Sequence, residues 1–220
     1  MRLPLPRIKI CCIATVEEAA RAIHRGASAV GLVSRMPSGP GVIPDERIAE
    51  IAARVPPGVA SFLLTCEQDA ERIIAQQRAT GANTLQLCDA VAPGTWRALR
   101  RALPGIALVQ VIHVEDEASV EEALAAAPEV DALLLDSGRP KLSTKELGGT
   151  GRVHDWRLSR QIRDRAKVPI FLAGGLNASN VAEALRQVDP YGLDVCTGVR
   201  TDGALDDAKL SAFVERAFSA

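Results

Sequence analysis

The chain has 220 residues, of which 47% are apolar and only 3% aromatic, so its core is expected to consist mainly of Ala, Val, Leu and Ile. The formal net charge of −1 gives no general attraction for nucleic acid or for an anionic membrane surface. The five cysteines lack paired metal-ligand spacing, and no apolar run is long enough to span a membrane. This composition favours free thiols in a reducing cytoplasm over a disulfide framework.

The first half of the chain alternates short apolar runs with stretches of helical periodicity. The predicted strands are Ile8–Ile13, Ala29–Val33, Val59–Leu64 and Thr84–Leu87. A capping box at Thr15–Glu18 predicts the start of the first helix, and Pro44 is placed to start the second. A similar box at Thr65–Gln68 predicts a third helix that runs to Gly81, and a fourth is expected around Trp96 and Leu99.

The second half continues the same alternation. The predicted strands are Ala107–Ile112, Ala132–Leu135, Pro169–Leu172 and Leu193–Thr197. The predicted helix starts are the box Ser119–Glu122 and the side chains of Asp155 and Asn177. A last helix carries Leu210, Phe213, Val214 and Ala217.

Eight strand–helix units without a break in composition predict a (β/α)8 barrel of the TIM type, formed as a single domain over residues 1–220. Strands that read as nearly continuous apolar runs indicate a parallel sheet covered on both sides. The alternative, an open doubly wound sheet, would need a glycine fingerprint after the first strand, where this chain has Cys12-Ile13-Ala14. The glycines instead follow the sixth, seventh and eighth strands, and barrels typically bind phosphate after the seventh and eighth.

The stretch Asp131–Trp156 combines two chemical features. Asp136 ends a buried strand, where a carboxylate can perform acid–base chemistry, and Gly148-Gly149-Thr150-Gly151 forms a loop whose N–H groups can hold a phosphate. The alternative is structural: an Asp that only ends a strand and glycines that only form turns.

Two residues of the first strand are expected to share one face, since Lys9 and Cys11 are two positions apart. If that face is the barrel interior, Lys9 is a buried cation that needs a carboxylate partner, and its charge favours a thiolate at Cys11. The same charge would lower the pKa of a nearby Asp136, which opposes an acid role. A cysteine in a strand can also be simply a small core residue.

Motifs along nearly the whole chain resemble the phosphoribosylanthranilate isomerase family. Lys9-Ile10-Cys11 is similar to the family's opening K-I-C-G, and Leu85-Gln86-Leu87 to its L-Q-L-H-G. The further similar segments are Ala29–Leu32, Leu134–Ser137, Gly148–Gly151, Asp155-Trp156, Leu172–Asn177 and Asp194–Val199.

The resemblance implies an Amadori rearrangement without a cofactor or a metal ion, in tryptophan biosynthesis. Asp136 would be the general acid that opens the sugar ring, and Cys11 the general base that removes the C2′ proton. The resemblance also implies phosphate-binding groups at Gly149, Thr150, Gly151, Gly174, Gly175, Thr197 and Gly198. Lys9, Asp194 and Arg200 complete the expected set of substrate- and phosphate-binding residues.

Several departures from the family pattern concern the anthranilate end. Pro40 stands where the family has an Arg that is expected to hold the anthranilate carboxylate, and Arg200 stands where it has a Glu. Arg200 could therefore supply a replacement cation. Cys12 replaces a glycine, and Cys88-Asp89 replaces His-Gly.

Three interpretations of function follow. The first is the isomerase with an altered carboxylate clamp, and the second is an enzyme of the same fold that acts on another phosphorylated sugar. The third is a non-catalytic phosphosugar-binding module. In each case the expected partner is a small phosphorylated sugar, with no nucleic acid and no membrane, for a monomer or homodimer in the cytoplasm.

Overall fold

The computed structural model describes residues 5–149 and 151–220, and its eight parallel strands form one closed barrel in the order β1 to β8. The strands are β1 (Arg7–Ile10), β2 (Ala29–Val33), β3 (Ala60–Thr65), β4 (Thr84–Leu87), β5 (Ala107–His113), β6 (Ala132–Asp136), β7 (Ile170–Leu172) and β8 (Gly192–Val195). The barrel closes where β8 pairs with β1. The predicted (β/α)8 architecture is thereby confirmed.

A helix follows each strand and covers the outside of the barrel. The helices are α1 (Val16–His24), α2 (Asp45–Ala52), α3 (Ala70–Thr80), α4 (Thr95–Ala102), α5 (Ala118–Ala126), α6 (Trp156–Arg165), α7 (Val181–Val188) and α8 (Asp207–Phe218). Short 3₁₀ turns lie at Ala127–Glu129 and Thr197–Val199. A small antiparallel hairpin of β9 (Arg200–Thr201) and β10 (Ala204–Leu205) precedes α8 and was not predicted.

The apolar side chains form two layers, as the strand pattern predicted. One large cluster lies between the strands and the surrounding helices, and it includes Ile8, Leu63 and Phe213. A smaller cluster fills the barrel interior and includes Phe62 and Phe171, whose rings meet edge to face. Both faces of the strands are therefore covered, which explains their lack of polar alternation.

Three predicted helix starts are wrong. Thr65 is the last residue of β3, and α3 begins later because the Asp69 carboxylate accepts hydrogen bonds from the first turn. Ser119 lies inside α5, and its hydroxyl donates to the carbonyl of His113. Asn177 lies in the loop before α7, which begins after Asn180. The side chains of Thr65 and Asn177 accept hydrogen bonds from the N–H groups of Glu67 and Ser179, but the regular helices begin only after Asp69 and Asn180. The Ser119 hydroxyl bonds to the end of β5 and to the loop that follows it.

A buried ion pair lies at the seam where the barrel closes. Lys9 is fully buried, and its Nζ donates to Asp194 Oδ1 at 2.9 Å. These two residues are also register partners across β1 and β8. The ammonium lies 5.2 Å from the ring centroid of Phe62, so it contacts an aromatic face as well as a carboxylate.

No helix in the described ranges is both long enough and apolar enough to cross a membrane.

Replacing Lys9 with Met should lower the free energy of unfolding by about 3–5 kcal/mol, because it leaves the Asp194 carboxylate buried without its cation. The double variant Lys9→Met/Asp194→Leu should recover most of this loss, since neither charge is then buried alone. Urea unfolding followed by circular dichroism measures both effects. Equal stability of Lys9→Met and the wild type would contradict the importance of the pair.

Candidate active site

A cavity opens at the carboxyl ends of the barrel strands and encloses about 690 Å³, including its open mouth. Its floor is formed by the residues that end or follow β1, β3, β4, β6, β7 and β8, and its wall by the loops after β2 and β6. Among the predicted site residues, the cavity is lined by Cys11, Asp136, Gly149, Gly151, Gly174, Gly175, Asp194 and Thr197. Thr150 lies outside the described residues.

Cys11 follows directly after β1, and its N–H continues the barrel ladder by donating to the carbonyl of Val195 at 2.9 Å. A hydrogen bond from the Cys12 thiol lowers the pKa of Cys11 despite the opposing effect of burial, and the Lys9 ammonium adds to this lowering. Gly31 makes the arrangement possible, because a Cβ at that position would lie 3.0 Å from both Cys11 Sγ and Lys9 Nζ. A thiol at the cavity floor is thereby biased towards the thiolate, which is the basic form.

Cys12 occupies the left-handed region of backbone space, with φ of +62°. This conformation suits the glycine of the family motif and is unusual for a residue with a side chain. The Cys196 thiol donates to Cys12 Sγ at 2.9 Å, and the Cys12 thiol approaches the Pro40 carbonyl at 3.5 Å. Cys12 therefore links the ends of β1 and β8 with the loop after β2.

Asp136 ends β6 and lies three strands from Cys11 around the barrel. Burial raises the pKa of Asp136, and it outweighs the N–H of Ser137 and the nearby His113 and Lys9, which act in the opposite direction. Oδ1 accepts from the Ser137 N–H at 2.7 Å, and Oδ2 lies 2.8 Å from the place a Cβ would take on Gly148. Lys9 lowers the pKa of Asp136, but burial raises it by more. The net effect favours the protonated carboxyl group, which an acid role requires.

Lys9 is not a lining residue, in contrast to its predicted role in substrate binding. Its ammonium lies below the cavity floor and is engaged by Asp194, which does line the cavity. Burial alone would lower the pKa of Lys9, but the Asp194 carboxylate, together with Cys11 and Cys88, outweighs burial, and the pKa is raised. Lys9 therefore stays charged, and from beneath the cavity floor its charge lowers the pKa of Cys11.

The loops after β7 and β8 present backbone donors to the cavity. Within the described ranges, the N–H groups of Gly174 and Gly175 donate to no acceptor, while the side chains of Asn177 and Asn180 both donate to the Gly175 carbonyl. Gly174 and Gly175 have φ of +86° and +63°, which glycine adopts without strain. Such a loop exposes N–H groups to an anion.

Gly198 packs behind this loop instead of lining the cavity. A Cβ on Gly198 would lie 2.0 Å from the carbonyl oxygen of Leu176, so only glycine allows the loops after β7 and β8 to approach so closely. This packing fixes the position of the neighbouring loop, and a direct part for Gly198 in phosphate binding stays a prediction.

The structure does not support Arg200 as a replacement carboxylate clamp. Its guanidinium is buried and points away from the cavity, where it pairs with Glu18 at 3.2 Å and donates to the carbonyls of Cys11 and Cys12. The Glu18 carboxylate also accepts from the N–H groups of Ala14 and Leu205. Arg200 thus fixes the backbone of the Cys11 segment from below.

Two polar side chains near the cavity were not predicted as site residues. Gln86 lines the cavity, and its buried Oε1 has no hydrogen-bond partner in the described part of the chain. His113 is the register partner of Asp136, and its Nε2 bonds to the Cys88 carbonyl at 3.0 Å. The L-Q-L motif was the only available signal for Gln86, because burial of its amide depends on the closed barrel.

Comparison with known proteins identifies the family. Residues 8–216 match the model of the N-(5′-phosphoribosyl)anthranilate isomerase family. The chain belongs to this family.

Individual isomerases of the family resemble the chain over nearly its whole length. N-(5′-phosphoribosyl)anthranilate isomerase 2 of Methanosarcina mazei is 36% identical over 96% of this chain and 93% of its own. The isomerase of Halorubrum lacusprofundi is 37% identical, with 97% of each chain covered. A crystal structure of an isomerase in complex with reduced 1-(o-carboxyphenylamino)-1-deoxyribulose 5-phosphate superposes with a TM-score of 0.79 and 28% identity, covering 98% of this chain and 100% of that one.

Alkylation of Cys11 by iodoacetamide should show a pH midpoint below 9.0, the value for an ordinary thiol, because the folded site stabilises the thiolate. Cys12→Ala should move this midpoint upward, since it removes the hydrogen-bond donor. Mass spectrometry that resolves the two adjacent cysteines measures it. Cys66→Ala removes a thiol outside the cavity lining and should leave the midpoint unchanged; a shift of equal size in both variants would show that Cys12 has no specific effect.

Proposed function

We propose that the protein catalyses the isomerisation of N-(5′-phosphoribosyl)anthranilate to 1-(o-carboxyphenylamino)-1-deoxyribulose 5-phosphate in tryptophan biosynthesis, with Cys11 and Asp136 as its base and acid. The supporting observation is that one cavity holds a thiol whose pKa is lowered and a carboxyl group whose pKa is raised. An aldose–ketose rearrangement needs a proton donor and a proton acceptor in one site. Membership of the isomerase family supports the same reaction.

In the first step, protonated Asp136 gives its proton to the ring oxygen of the ribose. The bond between that oxygen and C1′ breaks, and the nitrogen lone pair forms a protonated Schiff base. Burial supports this role because it raises the pKa of Asp136 and so favours the protonated carboxyl group that the ring oxygen needs as a donor.

In the second step, the Cys11 thiolate removes the proton from C2′. The electron pair of that C–H bond forms the C1′–C2′ double bond and neutralises the nitrogen. The resulting enolamine becomes the ketone when C1′ gains a proton and the C2′ hydroxyl loses one. The Cys12 hydrogen bond and the Lys9 charge support the thiolate form that this step needs.

The phosphate is assigned to the loops after β7 and β8, with Gly174, Gly175 and Thr197 as binding residues. The exposed N–H groups and the closeness of Gly151 to Thr197 Oγ1 support this assignment. Gly151 adjoins Thr197 and Gly175 and is assigned to the phosphate with them. Gly149, which lies against Pro40, is assigned to the sugar side of the same site. Gln86 Oε1, a buried acceptor, is available to a sugar hydroxyl.

The cellular compartment is assigned to the cytoplasm, in keeping with five cysteines that are all free thiols.

Cys11→Ser and Asp136→Asn should each lower kcat by about 10²–10⁴-fold, because each removes one positioned proton-transfer group. Both should leave the affinity for an inert phosphate-bearing product analogue nearly unchanged, because the phosphate is held by separate backbone groups. Steady-state kinetics and calorimetry measure the two quantities. Rescue of a tryptophan auxotroph that lacks the isomerase tests the reaction itself, and failure of the wild type to rescue it would reject this substrate.

Gly198→Ala should mainly weaken ligand affinity, in contrast to the Cys11 and Asp136 variants, which should mainly lower kcat. Its Cβ would displace the Leu176 carbonyl and hence the phosphate-binding loop, so the analogue should bind by calorimetry at least about ten-fold more weakly, which is the effect of losing one hydrogen bond to a charged group. The matched control is Gly105→Ala, where φ is +88° but nothing lies within reach of a Cβ. Equal losses of affinity in both variants would indicate general strain and contradict the assignment of the phosphate loop.

A further inference from the structure

The part of the cavity wall that faces away from the phosphate loops is apolar. It is formed by Val33, Met36, Pro40, Leu64 and Leu147, from β2, β3 and the loops after β2 and β6. The two loops are in close contact, since a Cβ on Gly149 would lie 2.5 Å from Pro40 Cδ. This wall is where the amine substituent of the sugar must lie if the phosphate occupies the loops after β7 and β8.

The cavity contains no cation for a carboxylate in this region. Within residues 5–149 and 151–220, no Lys or Arg lines the cavity, and its ionisable lining residues are thiols, Asp136 and Asp194. A carboxylate that entered the wall region would lose its hydration, gain no ion pair and approach two acidic groups. Burial of such a charge is unfavourable, so the wall is suited to an uncharged ring.

Several cations on the loop after β6 and behind the cavity floor are already paired. Lys145 donates to Asp89 Oδ2 at 2.5 Å, and Arg152 pairs with Glu146. The Arg200–Glu18 and Lys9–Asp194 pairs lie behind the floor. Arg35 is exposed on the loop after β2, beside Met36 but outside the lining.

We propose, on the basis of the proposed isomerisation, that the enzyme binds the amine substituent as an apolar ring and also isomerises 5-phosphoribosyl adducts of arylamines that lack the carboxylate. In the anthranilate adduct the carboxylate remains at the open mouth, in water. It adds little to binding there, because a solvent-exposed charge without a fixed partner gains almost no interaction free energy.

The test compares N-(5-phosphoribosyl)anthranilate with N-(5-phosphoribosyl)aniline as substrates of the intact protein. We expect kcat/KM values within about three-fold of one another, whereas a carboxylate clamp would favour anthranilate by about ten-fold or more. The reduced, inert product analogues with and without the carboxylate should likewise bind with similar affinity in calorimetry. A preference of ten-fold or more for the carboxylate in both measurements would overturn the proposal.

Variants at two positions make the test specific. Pro40→Arg should raise the anthranilate-to-aniline ratio of kcat/KM by about ten-fold or more, because it supplies the missing cation. Pro40→Gln, the matched control for loss of the proline ring, should leave the ratio near that of the wild type. Arg35→Ala should also leave the ratio unchanged; a fall in the ratio would show that Arg35 reaches the carboxylate and would overturn the proposal.

Failure of the underlying isomerase function has a different signature. If neither adduct is turned over although both inert analogues bind equally well, the proposed reaction fails and the apolar recognition of the ring stands. If the anthranilate adduct alone is turned over, the reaction stands and the additional activity is rejected. If neither analogue binds, both proposals are rejected.

Discussion

The ion pair between Lys9 and Asp194 connects the closure of the barrel to its chemistry. It joins β1 to β8 at the seam and places a permanent positive charge beneath Cys11. A lysine in a barrel interior is unfavourable unless it is paired, so the carboxylate on the neighbouring strand is a condition for the fold. The same charge that stabilises the closed seam also favours the reactive form of the thiol.

The two reactive groups have opposite tendencies because their surroundings differ. Cys11 lies beside an ammonium and a thiol donor, which favour its charged form, whereas the effect of burial dominates at Asp136. Cationic charge is concentrated below the β1–β8 seam, and Asp136 lies at the end of β6, three strands away. A base and an acid can therefore coexist in one cavity at the same pH.

The sequence predicted the features that depend on local residue patterns. It did not predict the features that depend on contacts between residues distant in the chain. The bounds of β2 and β4 agree with prediction at both ends. For β2 the reason is local, because Ser28 and Ser34 flank its apolar run. The position of Asp136 in the cavity followed from its place at the end of a predicted strand. Cys11 was predicted inside the first strand, Ile8–Ile13, but β1 ends at Ile10, so Cys11 lies just beyond it. The direction of Arg200 did not, because its partner Glu18 is 182 positions away in the chain and also appeared to form an ordinary capping box. The sequence predicted that Lys9 is buried if its face of the first strand points into the barrel. It did not identify Asp194 as the carboxylate that pairs with Lys9.

The Glu18 carboxylate accepts from the guanidinium of Arg200 and from the N–H groups of Ala14 and Leu205, and Arg200 in turn donates to the carbonyls of Cys11 and Cys12. In evolution, Glu18 and Arg200 are expected to be retained or lost as a pair. A lineage that loses Arg200 leaves Glu18 with an uncompensated charge in a largely buried place, so the two positions are expected to change together. Pro40, at the open end of the cavity, forms no such ion pair. Substitutions at this position can therefore change with the substrate without leaving a buried charge unpaired.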